Sequence, residues 1–211
     1  MSTLDVLKAH AIQAKKSLGQ NFLIDQNIQL KIVKALTVSP QDIVLEVGPG
    51  IGSLTTWIID AAPQKLFLIE KDATFVPILQ SLFSKTTVSH EIHQADALDV
   101  SLKELHTSPL KVISNLPYNI SSPLIIKWIK EGPIISEMVL MIQKEVAERI
   151  VAKNHTKNYG RLSVLCQWLC ECEILFHVPP HVFRPQPKVT STVIKLRPKK
   201  NFPSSLQIQA M

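Results

Sequence analysis

Residues 113–124 read ISNLPYNISSPL, an apolar run that ends in an amide, a proline and an aromatic ring. Asn115-Leu116-Pro117-Tyr118 offers two acceptors, the Asn115 side-chain oxygen and the Leu116 carbonyl, in a turn that Pro117 stiffens. Those parts suit chemistry at the exocyclic amine of adenine. Such an amine is a poor nucleophile, because its lone pair is delocalised into the ring. Two acceptors aimed at its hydrogens favour the tetrahedral nitrogen of the transition state. Tyr118 adds a flat face for a flipped base.

Three other places carry matching chemistry. Glu46-Val47-Gly48-Pro49-Gly50-Ile51-Gly52 follows a strand-like run with glycines spaced G-x-G-x-G. The dinucleotide fingerprint would need glycine where Ser53 stands, and Pro49 removes a backbone donor that a pyrophosphate could use. The loop is therefore expected to receive a nucleoside with a small zwitterionic tail, as in S-adenosylmethionine; a plain strand–helix turn is the competing reading. Glu70, about 20 residues beyond the glycine loop, can accept from both ribose hydroxyls. Asp96 can accept from the cofactor's adenine amine, with the Ala97 amide supporting the ring edge.

These residues need elements that bring them to one edge. Apolar runs over 43–47, 65–70, within 88–96, and over 110–115 and 137–144 read as strands. Helical patterns cover 25–36, with Asp25 as cap and Ile28, Ile32, Ala35 and Leu36 as the apolar face, then 52–62 and 73–84 despite Pro77. Further helices are expected from about 121, from the end of the fifth strand to about 153, and over 161–170. Two later strands, 173–178 and 191–196, lack a long crossover and predict an antiparallel hairpin at one edge. The expected fold is α/β: a sheet of seven mostly parallel strands with an antiparallel edge hairpin and helices on both faces. In such a sheet, ligands bind outside the carboxyl ends of the strands. Residues 1–200 are read as one cofactor-binding catalytic domain, and 201–211 as the start of a C-terminal helical domain otherwise absent, with 204–211 opening a helix.

Composition narrows the class. The chain has 211 residues and 23 Lys+Arg against 17 Asp+Glu, a formal charge of +6. A polyanionic partner is consistent with that charge, and Lys144, Arg149, Lys153, Lys157 and Arg161 crowd one stretch. Lys15 and Lys16 precede the first motif, and Lys195, Arg197, Lys199 and Lys200 close the domain. No apolar run is long enough for a membrane span and no signal core opens the chain, so a cytoplasmic protein without membrane contact is expected. Cys166, Cys170 and Cys172 fit no zinc spacing and read as packed thiols; no metal is expected.

The chain resembles the small-subunit (16S-type) ribosomal RNA adenine N6,N6-dimethyltransferases, the kasugamycin-sensitivity type, with the macrolide-resistance rRNA methyltransferases as relatives. The matching stretches are KKSLGQNFLID (15–25), EVGPGIG (46–52), LIEKD (68–72), QADALD (94–99), NLPYNISSP (115–123), MIQKEVAERIVA (141–152), YGRLSV (159–164) and VPPHVFRPQPKVTSTVIKL (178–196). NLPY, YGRLSV and FRPQPKV favour the dimethyltransferases over the resistance enzymes. The resemblance implies that Gln20, Asn21 and Leu23 belong to a segment covering the cofactor, and that Phe183 stacks on the target adenine opposite Tyr118. Read from its own residues, FRPQPK is a Pro-rich loop whose Phe183 belongs to the core. The resemblance further implies a Rossmann-like S-adenosylmethionine-dependent methyltransferase fold, S-adenosylhomocysteine as product, and a monomer acting on small-subunit rRNA in a precursor 30S-type particle. The expected reaction is dimethylation of two adjacent adenosines near the rRNA 3′ end. A non-catalytic RNA-binding assembly factor on the same fold is the alternative. Ser53 and NLPY speak against a dinucleotide oxidoreductase, and FRPQPKV against a DNA adenine methyltransferase.

Overall fold

The computed structural model describes residues 2–201. In chain order, its elements begin with α1 (Thr3–Ala9), β1 (Phe22–Leu23), α2 (Gln26–Leu36), β2 (Ile43–Val47), α3 (Thr55–Asp60) and β3 (Lys65–Glu70). Then come α4 (Val76–Leu82), β4 (Ser89–Gln94), α5 (Leu102–Leu105), β5 (Leu110–Asn115), α6 (Ser121–Glu131) and β6 (Ile135–Gln143). The last are α7 (Lys144–Ile150), α8 (Arg161–Leu169), β7 (Cys170–Val178), β8 (Phe183–Arg184) and β9 (Ser191–Pro198).

The main sheet has seven strands in the order β4-β3-β2-β5-β6-β9-β7. The first five are mutually parallel, and β9 lies antiparallel between β6 and β7. The expected hairpin is therefore present as β7 and β9, with β9 against β6 and β7 left at the edge. A small antiparallel pair joins β1 to β8, matching Leu23 with Phe183. Two-residue strands show no alternation, so this pair was invisible to periodicity.

The central strands are buried on both faces, which is why they read as continuous apolar runs. Ile43, Leu45 and Val47 of β2 face one layer with α6 and α8, while Val44 faces the other with α2. Met138, Leu140 and Ile142 of β6 alternate with Val139 and Met141 in the same way. Each fully buried Leu or Ile contributes about 1.5–3 kcal/mol. The exposed edge strand β4 carries Glu91, paired to Lys65 at 2.5 Å, and such edge charge discourages pairing with another chain.

Helix bounds differ from expectation for local reasons. The glycine loop turns through 51–54, so α3 starts at Thr55 rather than 52. Pro77 sits in the first turn of α4, where a missing N–H costs nothing. Asp25 caps α2 by accepting from Ile28 N at 3.0 Å, as expected. The buried face of α2, however, is Gln29, Ile32, Val33 and Leu36. Gln29 can be buried because Nε2 donates to Thr3 Oγ1 and the Leu23 carbonyl, and Oε1 accepts from Trp57 Nε1. The helix expected over 204–211 lies outside the described residues.

Candidate active site

The strand order reverses between β2 and β5, and a parallel sheet opens a crevice at such a point. The ladder between them stops at Glu46–Ile113. One residue on, the buried Ser114 hydroxyl donates to the Val47 carbonyl and holds the two strand ends together. Beyond that bond the glycine loop and the Asn115–Tyr118 turn diverge around a cavity.

Of the residues selected from sequence, Gln20, Asn21, Leu23, Glu46, Gly48, Gly50, Glu70, Asp96, Ala97, Asn115, Leu116, Pro117 and Tyr118 all line this cavity. Gly52 and Phe183 do not. At Gly52, φ is +85° and an added Cβ would lie 2.3 Å from Leu82 Cδ1, so this glycine serves the packing of α4 on the loop. Phe183 is fully buried among core residues. Its ring is enclosed by protein here, between Leu23 on β1 and the surrounding core. Phe183 thus sits in the core, as its own residues suggest; the stacking role implied by resemblance concerns a bound base.

The acceptor turn is set by its bonds. Asn115 Nδ2 donates to the Asn21 carbonyl at 3.2 Å, which orients the amide. No donor among the described residues reaches Asn115 Oδ1 or the Leu116 carbonyl, so both acceptors are available to a ligand. Leu116 N donates to the Met141 carbonyl at 3.1 Å and Ile120 N to the Pro117 carbonyl at 3.2 Å, which fixes the turn on both sides. Tyr118 Oη and Ser191 Oγ lie 2.7 Å apart, tying the ring to the start of β9. Burial raises the Tyr118 phenol above its ordinary pKa, so it stays neutral.

The acidic residues divide by environment. Glu70 is buried and its carboxylate accepts from Gly50 N at 2.9 Å and Asp72 N at 2.7 Å. Burial pushes its pKa up, and those backbone amides oppose the shift. Glu46 is fully enclosed, accepts from Thr55 Oγ1 at 2.6 Å, and is pushed up to about 8 by burial. Asp96 pairs with Lys71 at 2.6 Å and accepts from Leu98 N at 3.0 Å; the Lys71 hydrogen bond holds its pKa low.

Sequence reasoning missed Asp72. Burial opposes its ionisation, but hydrogen bonds from Lys15, Thr74 and Gln20 outweigh that and bring it to about 2. Lys15 Nζ and Gln20 Nε2 reach its two oxygens at 2.8 and 2.9 Å, latching the N-terminal strap beside Glu70. Gly19, at φ +63°, lets that strap approach the acceptor turn; an added Cβ would lie 3.1 Å from Asn119 Oδ1. The signal was present in LIEKD, where an acid follows Glu70 by two.

The cysteines stand apart from the cavity. Cys166 and Cys170 are buried, and burial pushes the Cys170 and Cys172 thiols up to about 12. Among the described residues no group of three His, Cys, Asp or Glu could hold a metal ion, and no helix is long and apolar enough to cross a membrane.

Comparison with known proteins adds relationship to geometry. The profile of the family described as ribosomal RNA adenine dimethylase matches residues 11–209. Ribosomal RNA small subunit methyltransferase A of Rhodospirillum rubrum is 42% identical over 195 residues, covering 92% of this chain and 68% of that protein. The crystal structure of a dimethyladenosine transferase from Plasmodium falciparum superimposes with a TM-score of 0.78 at 32% identity, over 88% of this chain and 65% of that one. That of the 23S rRNA methyltransferase ErmE gives 0.76 at 26% identity, over 90% of this chain and 75% of that one. The chain thus spans about two thirds of the length of such relatives.

Proposed function

The chain belongs to the ribosomal RNA adenine dimethylase family, and we propose that it dimethylates N6 of two adjacent adenosines near the 3′ end of small-subunit rRNA. It is an S-adenosylmethionine-dependent rRNA adenine methyltransferase. The observation that carries the chemistry is the pair of open acceptors, Asn115 Oδ1 and the Leu116 carbonyl, beside the Tyr118 ring.

The cavity's donor set fits the cofactor. Glu70 is a buried carboxylate held only by backbone amides among the described residues, an environment that would gain from two hydroxyl donors. Asp96 and Ala97 offer an acceptor and an amide for an adenine edge. Gly48, at φ +65°, has no atom nearer than Pro117 Cδ, 4.0 Å from an added Cβ, so the backbone there is open to close approach. When bound, S-adenosylmethionine supplies a methyl group already activated on a positively charged sulfur.

The chain's own residues then act by position. Asn115 Oδ1 and the Leu116 carbonyl accept from the two N6 hydrogens of the target base and favour the tetrahedral nitrogen. Tyr118 supports the base by its face, and its hydroxyl bond to Ser191 keeps the ring from turning. The latched strap carries the Asn21 carbonyl that orients the acceptor amide. No covalent nucleophile is required, and holding the reactants in line supplies much of the rate.

The same reading makes residues 1–200 the catalytic domain of a cytoplasmic monomer that meets its rRNA within a precursor 30S-type particle. A positive surface stretch of Lys153, Lys157 and Arg161, all exposed, supports a polyanionic partner. The test pairs two assays. Calorimetry should show binding of S-adenosylmethionine and none of NAD, and Asn115→Ala should bind the cofactor within a few-fold of the parent while transfer falls about 10²–10³-fold. Near-normal turnover in that variant would remove the acceptor role.

A further inference from the structure

Lys127 and Glu131 lie one turn apart on α6 and reach the segment that carries Asp96 and Ala97. Lys127 Nζ donates to the carbonyls of Ala97, Leu98 and Val100 at 3.2, 2.8 and 2.5 Å. Glu131 Oε2 accepts from Leu102 N at 2.7 Å, at the start of α5. An ammonium has three donors, so Lys127 is saturated by this contact. It is absent from the cavity lining.

The segment's own bonds explain why a cation belongs there. Leu98 N donates to Asp96 Oδ1 at 3.0 Å and Asp99 N to the Asp96 carbonyl at 2.9 Å. Its amides thus converge on Asp96, and the three carbonyls converge on one point behind it. Oxygens brought together in this way repel one another, and a cation between them offsets that repulsion. The charge of Lys127 also adds to that of Lys71 in favouring ionised Asp96. Because α6 begins at Ser121, directly after the Pro117–Tyr118 turn, one helix connects the acceptor turn to the Asp96 turn.

We propose that Lys127 is a positioning residue whose ammonium organises the 96–100 turn as a bound monovalent cation would, and so sets where Asp96 and Ala97 meet the cofactor's adenine. This rests on the reading of the cavity as an S-adenosylmethionine site. Glu131 acts as the second point of the same clamp.

The test uses the full chain with Lys127→Ala and Lys127→Met in tetramethylammonium chloride, free of potassium and ammonium. Calorimetry reads cofactor affinity, and methyl transfer at saturating cofactor reads kcat. Affinity is expected to fall roughly tenfold to a hundredfold in both, the scale of losing a charged hydrogen-bond partner, with kcat within about twofold of the parent. Ammonium or methylammonium chloride restores affinity to Lys127→Ala but not to Lys127→Met, whose side chain fills the space. Parent-like affinity in a folded Lys127→Met would assign the side chain to packing and overturn the proposal. So would a loss in Lys127→Ala that ammonium leaves untouched. Lys127→Arg covers the case in which neither variant folds: a planar fork cannot serve three converging carbonyls, so affinity falls several-fold, and parent-like affinity there overturns the proposal. A parent chain that binds no S-adenosylmethionine would instead overturn the reading of the cavity, and this inference with it.

Discussion

Gly52→Ala separates a glycine that shapes the fold from one that admits a ligand. At Gly52 the backbone sits at φ +85°, where an L-residue costs about 1–2 kcal/mol. The new Cβ would also lie 2.3 Å from Leu82 Cδ1. Leu82 is only partly buried and its methyl can swing aside, so the overpacking cost sits near the lower end of about 1–3 kcal/mol. Together the loss is about 2–4 kcal/mol. For a chain of this length, that lowers Tm by roughly 5–15 °C. Gly48→Ala carries the φ cost alone, since its nearest neighbour is Pro117 Cδ at 4.0 Å, so its Tm should fall by about half as much. Gly48 lines the cavity, however, and Gly52 does not. Scanning calorimetry should therefore rank Gly52→Ala as the less stable variant. Titration well below both melting points should show Gly48→Ala as the weaker cofactor binder. An unchanged Tm in Gly52→Ala, with weakened cofactor binding, would refute this division of roles.

Two further substitutions probe the acids. Glu70→Ala should weaken S-adenosylmethionine by roughly tenfold or more, because a charged hydrogen bond is worth about 1.5–3 kcal/mol; unchanged affinity by calorimetry would take Glu70 out of the ribose role. Glu46 binds its proton more tightly folded, with a pKa near 8, than unfolded near 4.5. The stability this confers is complete below the unfolded pKa and is lost as pH rises through about 8. Parent Tm should accordingly decline between those limits, and Glu46→Gln, which carries no ionisable group, should flatten the decline; parallel curves for the two proteins would contradict the assignment.

What the sequence disclosed and what it hid follow from the range of the interactions involved. β5 ends at Asn115 as read, because an apolar run and a Pro-containing turn are local signals. The same holds for Glu70 and Asp96, placed by strand ends alone. The packing constraint on Gly52 was hidden because it comes from Leu82, thirty positions away in the next helix but one. The partner that buries Phe183 was not legible, because Leu23 lies far off in the chain and joins it through a two-residue strand pair. Asp72 was overlooked because its partners, Lys15 and Gln20, arrive from the N-terminal strap. The α1 helix left a readable mark, Ser2 with Asp5 three residues on, and the structure shows both halves of that capping box.

Methyl transfer to under-methylated small ribosomal subunits, read as nucleosides by mass spectrometry, tests the central claim most directly. The account predicts N6,N6-dimethyladenosine from the parent chain with labelled S-adenosylmethionine, and loss of that product with Asn115→Ala. Tight cofactor binding with no methylated adenosine on any subunit would contradict it, and would leave a ribosome-assembly factor built on a methyltransferase fold.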